Sequence, residues 1–175
     1  YPTALSTTQL NATANVDGTF AYTPAAETVL GAGAGQNLSV LFTPTDTTNY
    51  TTASKTVQIT VLQGTQTITA SQPATAAFGT KFTVTASASS TLPVTIAGSG
   101  ACSSSGTLVT MTTGTGTCTV TFNQAGNANY SAAPQVTGTT DAQPASQTIS
   151  FGALAGKTYG DGQFAVSATA SSNLE

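Results

Sequence analysis

Alternation with a period of two runs through most of this chain. Cys118, Val120 and Phe122 share one parity and the threonines between them take the other, which predicts a strand with one buried and one wetted face. Leu38, Val40 and Phe42 repeat the arrangement, and in residues 55–61 Val57, Ile59 and Val61 alternate with Thr56, Gln58 and Thr60. Phe82, Val84, Ala86 and Ala88 point one way, with Thr83, Thr85 and Ser87 opposite. Weaker patterns predict strands at 10–14, 18–22, 67–69, 92–97, 107–112, 117–122 and 135–139. β-Branched residues occupy both faces, which suits a pleated half-buried surface and suits a helix poorly. Thr-Pro pairs, Asp17-Gly18 and the Gly31-Ala-Gly-Ala-Gly35 run punctuate the strands. The glycine run lacks the Lys-Ser/Thr of a phosphate loop and has no helix behind it, so it is expected to be a flexible connection.

The pattern recurs along the chain. Tyr50 and Tyr130 close similar polar turns 80 positions apart, Ile68 and Ile149 lie 81 apart in Gln-Thr-Ile contexts, and Tyr1 and Phe78 lie 77 apart. Such constancy predicts repeated modules in series. The expected division is a first module at 1–62, a second at 67–140 and the opening strands of a third at 147–175, joined by 63–66 and 142–146. The division is out of phase: residues 66–70 and 147–151 give the second and third modules a first strand that the first module lacks.

Composition narrows the chemistry. Charged residues make up 5%, against roughly 25% in ordinary globular proteins, so hydroxyls and amides must carry solubility. The only cations are Lys55, Lys81 and Lys157, which argues against nucleic acid as a partner. No apolar run approaches the roughly 20 residues that span a bilayer, so no membrane contact is expected from this segment. An export signal or anchor is expected outside it.

The Tyr-Gly opening backed by Asp161-Gly162, the Leu10-Asn-Ala-Thr-Ala14 strand, and the blocks ending Asp-Thr-Thr-Asn-Tyr50 and Gly-Asn-Ala-Asn-Tyr130 resemble bacterial immunoglobulin-like repeats of the MBG/YDG type. The resemblance spans essentially the whole chain, although the first module opens Tyr-Pro where Tyr-Gly is usual. It implies an all-β fold of tandem immunoglobulin-like sandwiches from a large secreted or surface adhesin-like protein. A scaffold family carries no catalytic residues over.

The residues themselves agree. The chain has no His, and no nucleophile with a base or cooperating carboxylate pair is visible, so neither an enzyme nor a cofactor or metal site is expected. Asp17, Glu27, Asp46, Asp141, Asp161 and Glu175 stand singly, and turn-capping fits them better than calcium. Cys102 and Cys118 are 16 apart without metal-ligand or Cys-x-x-Cys spacing. They predict a structural disulfide and hence an oxidising compartment, outside the cell or in the periplasm. Tyr50 and Tyr130 are expected to plug the ends of their cores. The function expected is a structural stalk or fibre segment, with a carbohydrate-binding or adhesive module as the alternative. Neighbouring repeats or further copies of the chain are the expected partners, a surface glycan or host protein the alternative ones. Gln147, Thr148, Ile149, Ser150 and Phe151 are the candidates for filling the first module's missing strand position.

Overall fold

The computed structural model describes residues 1–173, and Glu175 lies outside them. None of the described residues is helical. The strands are β1 (Gly18–Thr23), β2 (Gly33–Pro44), β3 (Ala53–Val61), β4 (Ile68–Ser71), β5 (Thr75–Ala77), β6 (Lys81–Thr83), β7 (Thr85–Ala88), β8 (Thr95–Gly100), β9 (Cys102–Ser105), β10 (Leu108–Met111), β11 (Thr117–Asn123), β12 (Val136–Gln143), β13 (Ile149–Phe151) and β14 (Ala168–Ala170). The chain is thus all-β, with its strands arranged in several sheets.

The larger core lies within residues 68–142. One sheet runs β5-β12-β11-β8 and another β6-β10-β9, while β4 pairs with β7. Val84, Val109, Met111, Cys118, Val120 and Phe122 are almost wholly inaccessible, and Ile68 and Ala142 join them. Of the parities read from sequence, Cys118-Val120-Phe122 and Phe82-Val84-Ala86 face this interior, and Ala88 is buried as well. Segment 81–88 is not one strand, however. Residues 81–83 pair with β10, 85–88 pair with β4, and Val84 marks the change of partner, its N–H going to the Thr107 carbonyl at 2.9 Å. The expected strand at 92–97 is displaced to Thr95–Gly100, and Leu92 and Pro93 lie in the irregular stretch between it and the Ser89-Ser90 turn. β5 and β9, Thr-Ala-Ala and Cys-Ser-Ser-Ser, escape sequence reading for want of alternation.

The first 62 residues form a single sheet, β1-β2-β3. Leu5 and Leu10 from the segment ahead of β1 bury against Leu38, with Tyr22, Leu30 and Ile59 packed around them. The glycine run is not a loose connection: its second half opens β2, and the β2–β3 register shifts between Gly33 and Gln36. The expected strand at 10–14 is absent, and this segment is coil. A strand needs a ladder partner for its backbone groups. In the larger unit β4 gives β7 that ladder, whereas no described strand lies beside 10–14.

Near the end of the chain β13 pairs with β14 in the register of β4 with β7. Ile149 faces Ala170 as Ile68 faces Ala88. The surrounding bonds recur as well. Ser89 and Ser171 N–H groups donate to the Thr67 and Thr148 carbonyls, both at 2.9 Å. Thr67 and Thr148 N–H groups donate to the Ser89 and Ser171 hydroxyls. The Ser90 and Ser172 hydroxyls donate to the Gln66 and Gln147 side chains.

Candidate functional site

Two features outside the main core stand out: a packed joint around Gly64, and an open strand position beside residues 10–14.

The joint is built from 62–66, the first residue and the turn that ends in Tyr130. Asn127 caps that turn, its side-chain oxygen accepting the N–H groups of Asn129 and Tyr130. The turn then grips Gly64 in a parallel bridge: the Gly64 N–H donates to the Asn129 carbonyl at 2.9 Å, and the Ser131 N–H donates to the Gly64 carbonyl at 3.0 Å. The Gln63 amide donates to the Asn127 carbonyl at 2.9 Å. Asn129 reaches back into the first unit, its side-chain oxygen accepting the Ala32 N–H at 2.9 Å. The Tyr1 and Tyr130 rings meet edge to face with centroids 5.3 Å apart. Gly64 is buried beneath them, and a Cβ there would fall 2.3 Å from the Tyr1 carbonyl oxygen, so only glycine fits. Gln66, also buried, ties the joint to the core by donating to the side chain of Gln124 and to the Ser131 carbonyl.

The open position lies on the first unit. Residues 11–16 stand off from β2 and β3 across a groove of about 650 Å³, whose other wall includes Val40, Phe42, Lys55 and Tyr50. A smaller adjoining hollow, about 190 Å³, runs past Leu10, Leu38 and Val57. Val57 is 50% exposed on the sheet face. In the larger unit Gln72, just past β4, lies against Gly138 of β12 so closely that a Cβ on Gly138 would fall 2.7 Å from the Gln72 side chain.

Tyr50 ends a turn like that of Tyr130. Here Asp46 is the cap, accepting the N–H groups of Thr48 and Asn49 at 3.1 Å and the Asn49 side-chain amide at 2.7 Å. That side-chain bond is the main reason its carboxyl sits below its usual 3.8. Tyr50 itself is half exposed. The two tyrosines expected to plug core ends therefore differ: Tyr130 closes a joint, and Tyr50 faces solvent with half its surface.

Cys102 on β9 and Cys118 on β11 form the disulfide expected of them, with Cα atoms 5.1 Å apart. It crosses the core between the two sheets of the larger unit. Asp17, Glu27, Asp46, Asp141 and Asp161 are exposed, and among the described residues no three His, Cys, Asp or Glu gather as a metal site would require. Asp46 serves its turn, and Asp141 accepts a bond from the Thr117 hydroxyl. Gln147 to Phe151 lie at and before β13, with Ile149 and Phe151 on one exposed face. No helix among the described residues is long and apolar enough to cross a membrane.

Sequence reading placed a short joint at 63–66 but did not show which residues hold it. Gly64, Asn129 and Ser131 are ordinary loop residues by type. The available signal was the recurrence of the Asn-Tyr turn and of the Gln-Thr-Ile stretch at a common spacing. No family model, curated protein or solved structure matches the chain.

Proposed function

We propose that this chain is a structural stalk segment of an extracellular bacterial protein, in which immunoglobulin-like sandwiches of the MBG/YDG type stand in series and hold distance. The order β4/β7-β6-β10-β9 against β5-β12-β11-β8 supports the immunoglobulin reading, since it corresponds to an A-B-E-D sheet facing A′-G-F-C. The first unit supplies the C, F and G strands of that scheme as β1, β2 and β3. The paired hydrogen bonds of the β4/β7 and β13/β14 hairpins support a third repeat.

The observation that carries the mechanical reading is the joint. A spacer must resist bending where its units meet, and the connection at 63–66 is held by backbone bonds on both sides of Gly64, by the Asn129–Ala32 bond and by two tyrosine rings. A four-residue link fixed this way has none of the freedom of a flexible linker. The Cys102–Cys118 disulfide fits an oxidising location outside the cytosol.

Small-angle scattering on the 175-residue chain tests the reading. The expected result is an elongated particle with a sharp maximum dimension. A compact particle, or a broad distribution typical of units swinging independently, removes the stalk function. A glycan array separates this reading from the carbohydrate-binding alternative, because a spacer retains no sugar.

A further inference from the structure

We propose that two copies of this chain pair through the free edge of β1, antiparallel about a two-fold axis, so that two β1-β2-β3 sheets become one sheet of six strands. The contact stands on the first unit's own strands and goes beyond the reading of the chain as a stalk segment.

The edge is open for a reason that lies inside the chain. In the larger unit residues 101–116 connect β8 to β11 and carry β9 and β10. β9 lies against the far edge of β8: the Gly98 N–H donates to the Ser104 hydroxyl at 2.7 Å, and a Cβ on Gly98 would fall 3.2 Å from that of Ser104. Tyr22 is the matched position in the first unit, facing Val40 as Gly98 faces Val120. There residues 24–32 connect β1 to β2 by a shorter path. They keep the Ala4–Val29 bridge, the counterpart of the β6–β10 pairing, and contain no counterpart of β9. β1 therefore pairs with β2 alone among the described strands.

The alternation of the ladder shows what that edge presents. The Thr45 N–H donates to the Asp17 carbonyl at 2.9 Å, which puts the hydrogen-bonded pairs with β2 at Thr19, Ala21 and Thr23. The N–H and C=O groups of Gly18, Phe20 and Tyr22 point the other way. Edges of this kind are ordinarily blunted by lysine, proline or a bulge. β1 reads Gly-Thr-Phe-Ala-Tyr-Thr, carries no charge and keeps an unbroken register with β2.

This edge fits a second copy of itself. With Phe20 opposite Phe20 of the second copy, Gly18 falls opposite Tyr22 and Thr19 opposite Ala21, and all three outward-pointing residues gain a hydrogen-bonded partner. Phe20 already packs on Phe42 with ring centroids 5.0 Å apart, and the pairing carries this row of rings across the axis. Gly18 has no side chain to crowd the Tyr22 ring that it meets. On the other face Thr19 and Ala21 are exposed, with Thr43 and Leu41 beside them on β2. Neither β1 nor β2 holds a charged residue, so no like charges oppose the approach. Both copies use the same patch, so the contact is isologous and stops at a dimer.

Sedimentation velocity and amide hydrogen exchange on the 175-residue chain over a concentration series test this. Wild-type chain is expected to pass from monomer to dimer and no further. In the dilute chain the amides of Thr19, Ala21 and Thr23 are protected by β2, while those of Phe20 and Tyr22 exchange fast. Dimer formation is expected to slow the latter two at least about tenfold. Thr19→Lys with Ala21→Lys sets like charges opposite each other on both sides of the axis, and Thr19→Glu with Ala21→Glu does so with the other sign. Both positions are exposed, so the fold survives, which circular dichroism checks. Each variant alone is expected to stay monomeric, its self-association weakened at least about tenfold. The two mixed one to one are expected to form a mixed dimer, since each lysine then meets a glutamate. A wild-type chain that stays monomeric, a dimer that leaves the Phe20 and Tyr22 amides unprotected, variants that dimerise as wild type does, or a mixture that stays monomeric would each overturn the proposal. Scattering from the monomeric lysine variant tests the stalk reading separately, because its shape does not depend on whether copies pair.

Discussion

Gly64 shows how one missing side chain governs the meeting of two folded units. An added Cβ would meet the Tyr1 carbonyl oxygen at 2.3 Å and the edge of the Tyr130 ring at 3.3 Å. Gly64→Ala must push backbone aside, a cost of about 1–3 kcal/mol of the overpacking kind. Because the strain falls on the joint, the expected signature is a broadened scattering distribution together with lost protection of the Gly64 and Ser131 amides in hydrogen exchange. The opposite turn offers a titration. The Asn49 side chain stabilises the charged form of Asp46 and so lowers its pKa below 3.8. A depressed carboxyl value means the turn's contribution is complete above the ordinary value and disappears as pH falls through the lower, folded one. An NMR titration of the Asp46 carboxyl is expected to give a midpoint below 3.8, and Asn49→Ala is expected to move it upward. The two residues differ in how far the sequence declared their roles. Asp46 was legible as a turn cap because Asp-x-x-Asn is local chemistry, whereas Gly64 depends on groups more than 60 positions away.

At the scale of the element, period-two alternation located strands whenever one face met a core. β11 and β2 were legible for this reason, since Phe122 and Phe42 fall on the buried parity. Alternation fails in two directions. It misses strands held by backbone pairing alone, such as Ser-rich β9, whose partner β10 supplies the apolar face. It also predicts a strand at 10–14, where the side chains alternate properly but no neighbour completes the ladder. β7 shows what the neighbour contributes: its four residues pair one for one with β4. Hydrogen exchange on the dilute monomer is expected to find the amides of 85–88 protected, and those of 10–14 exchanging near the rate of open chain. Ala12 is the expected exception, because its N–H donates to the Tyr22 hydroxyl at 2.9 Å. Strong protection throughout 10–14 in the monomer would show that the segment already has a partner.

For the whole molecule, the two cores are unequal, and this sets the order in which they give way. The first unit buries Leu5, Leu10 and Leu38 around one sheet with an open groove behind it. The second encloses Phe122, Met111, Val84, Val109 and Val120 between two sheets, and a disulfide crosses the interior. In the chain-entropy description a bridge closing a loop of this size stabilises by about 3 kcal/mol. In a unit of this size, that corresponds to a shift in melting temperature on the order of 10–20 °C. Calorimetry of the oxidised chain is expected to give two transitions, the first unit melting earlier because it has less apolar surface removed from water. Reduction, or Cys102→Ala with Cys118→Ala, is expected to lower only the upper transition by that amount and to draw it toward the lower one. The joint modifies this picture in a way that can be measured. Tyr130 and Asn129 belong to the stable unit but hold Ala32, Gly64 and Tyr1, so the second unit supports the first. Tyr130→Ala should therefore lower the early transition as well as loosening the joint, although no residue of the first unit has been changed. A single transition that ignores the disulfide, or an early transition indifferent to Tyr130, would mean that the units do not share load through the joint.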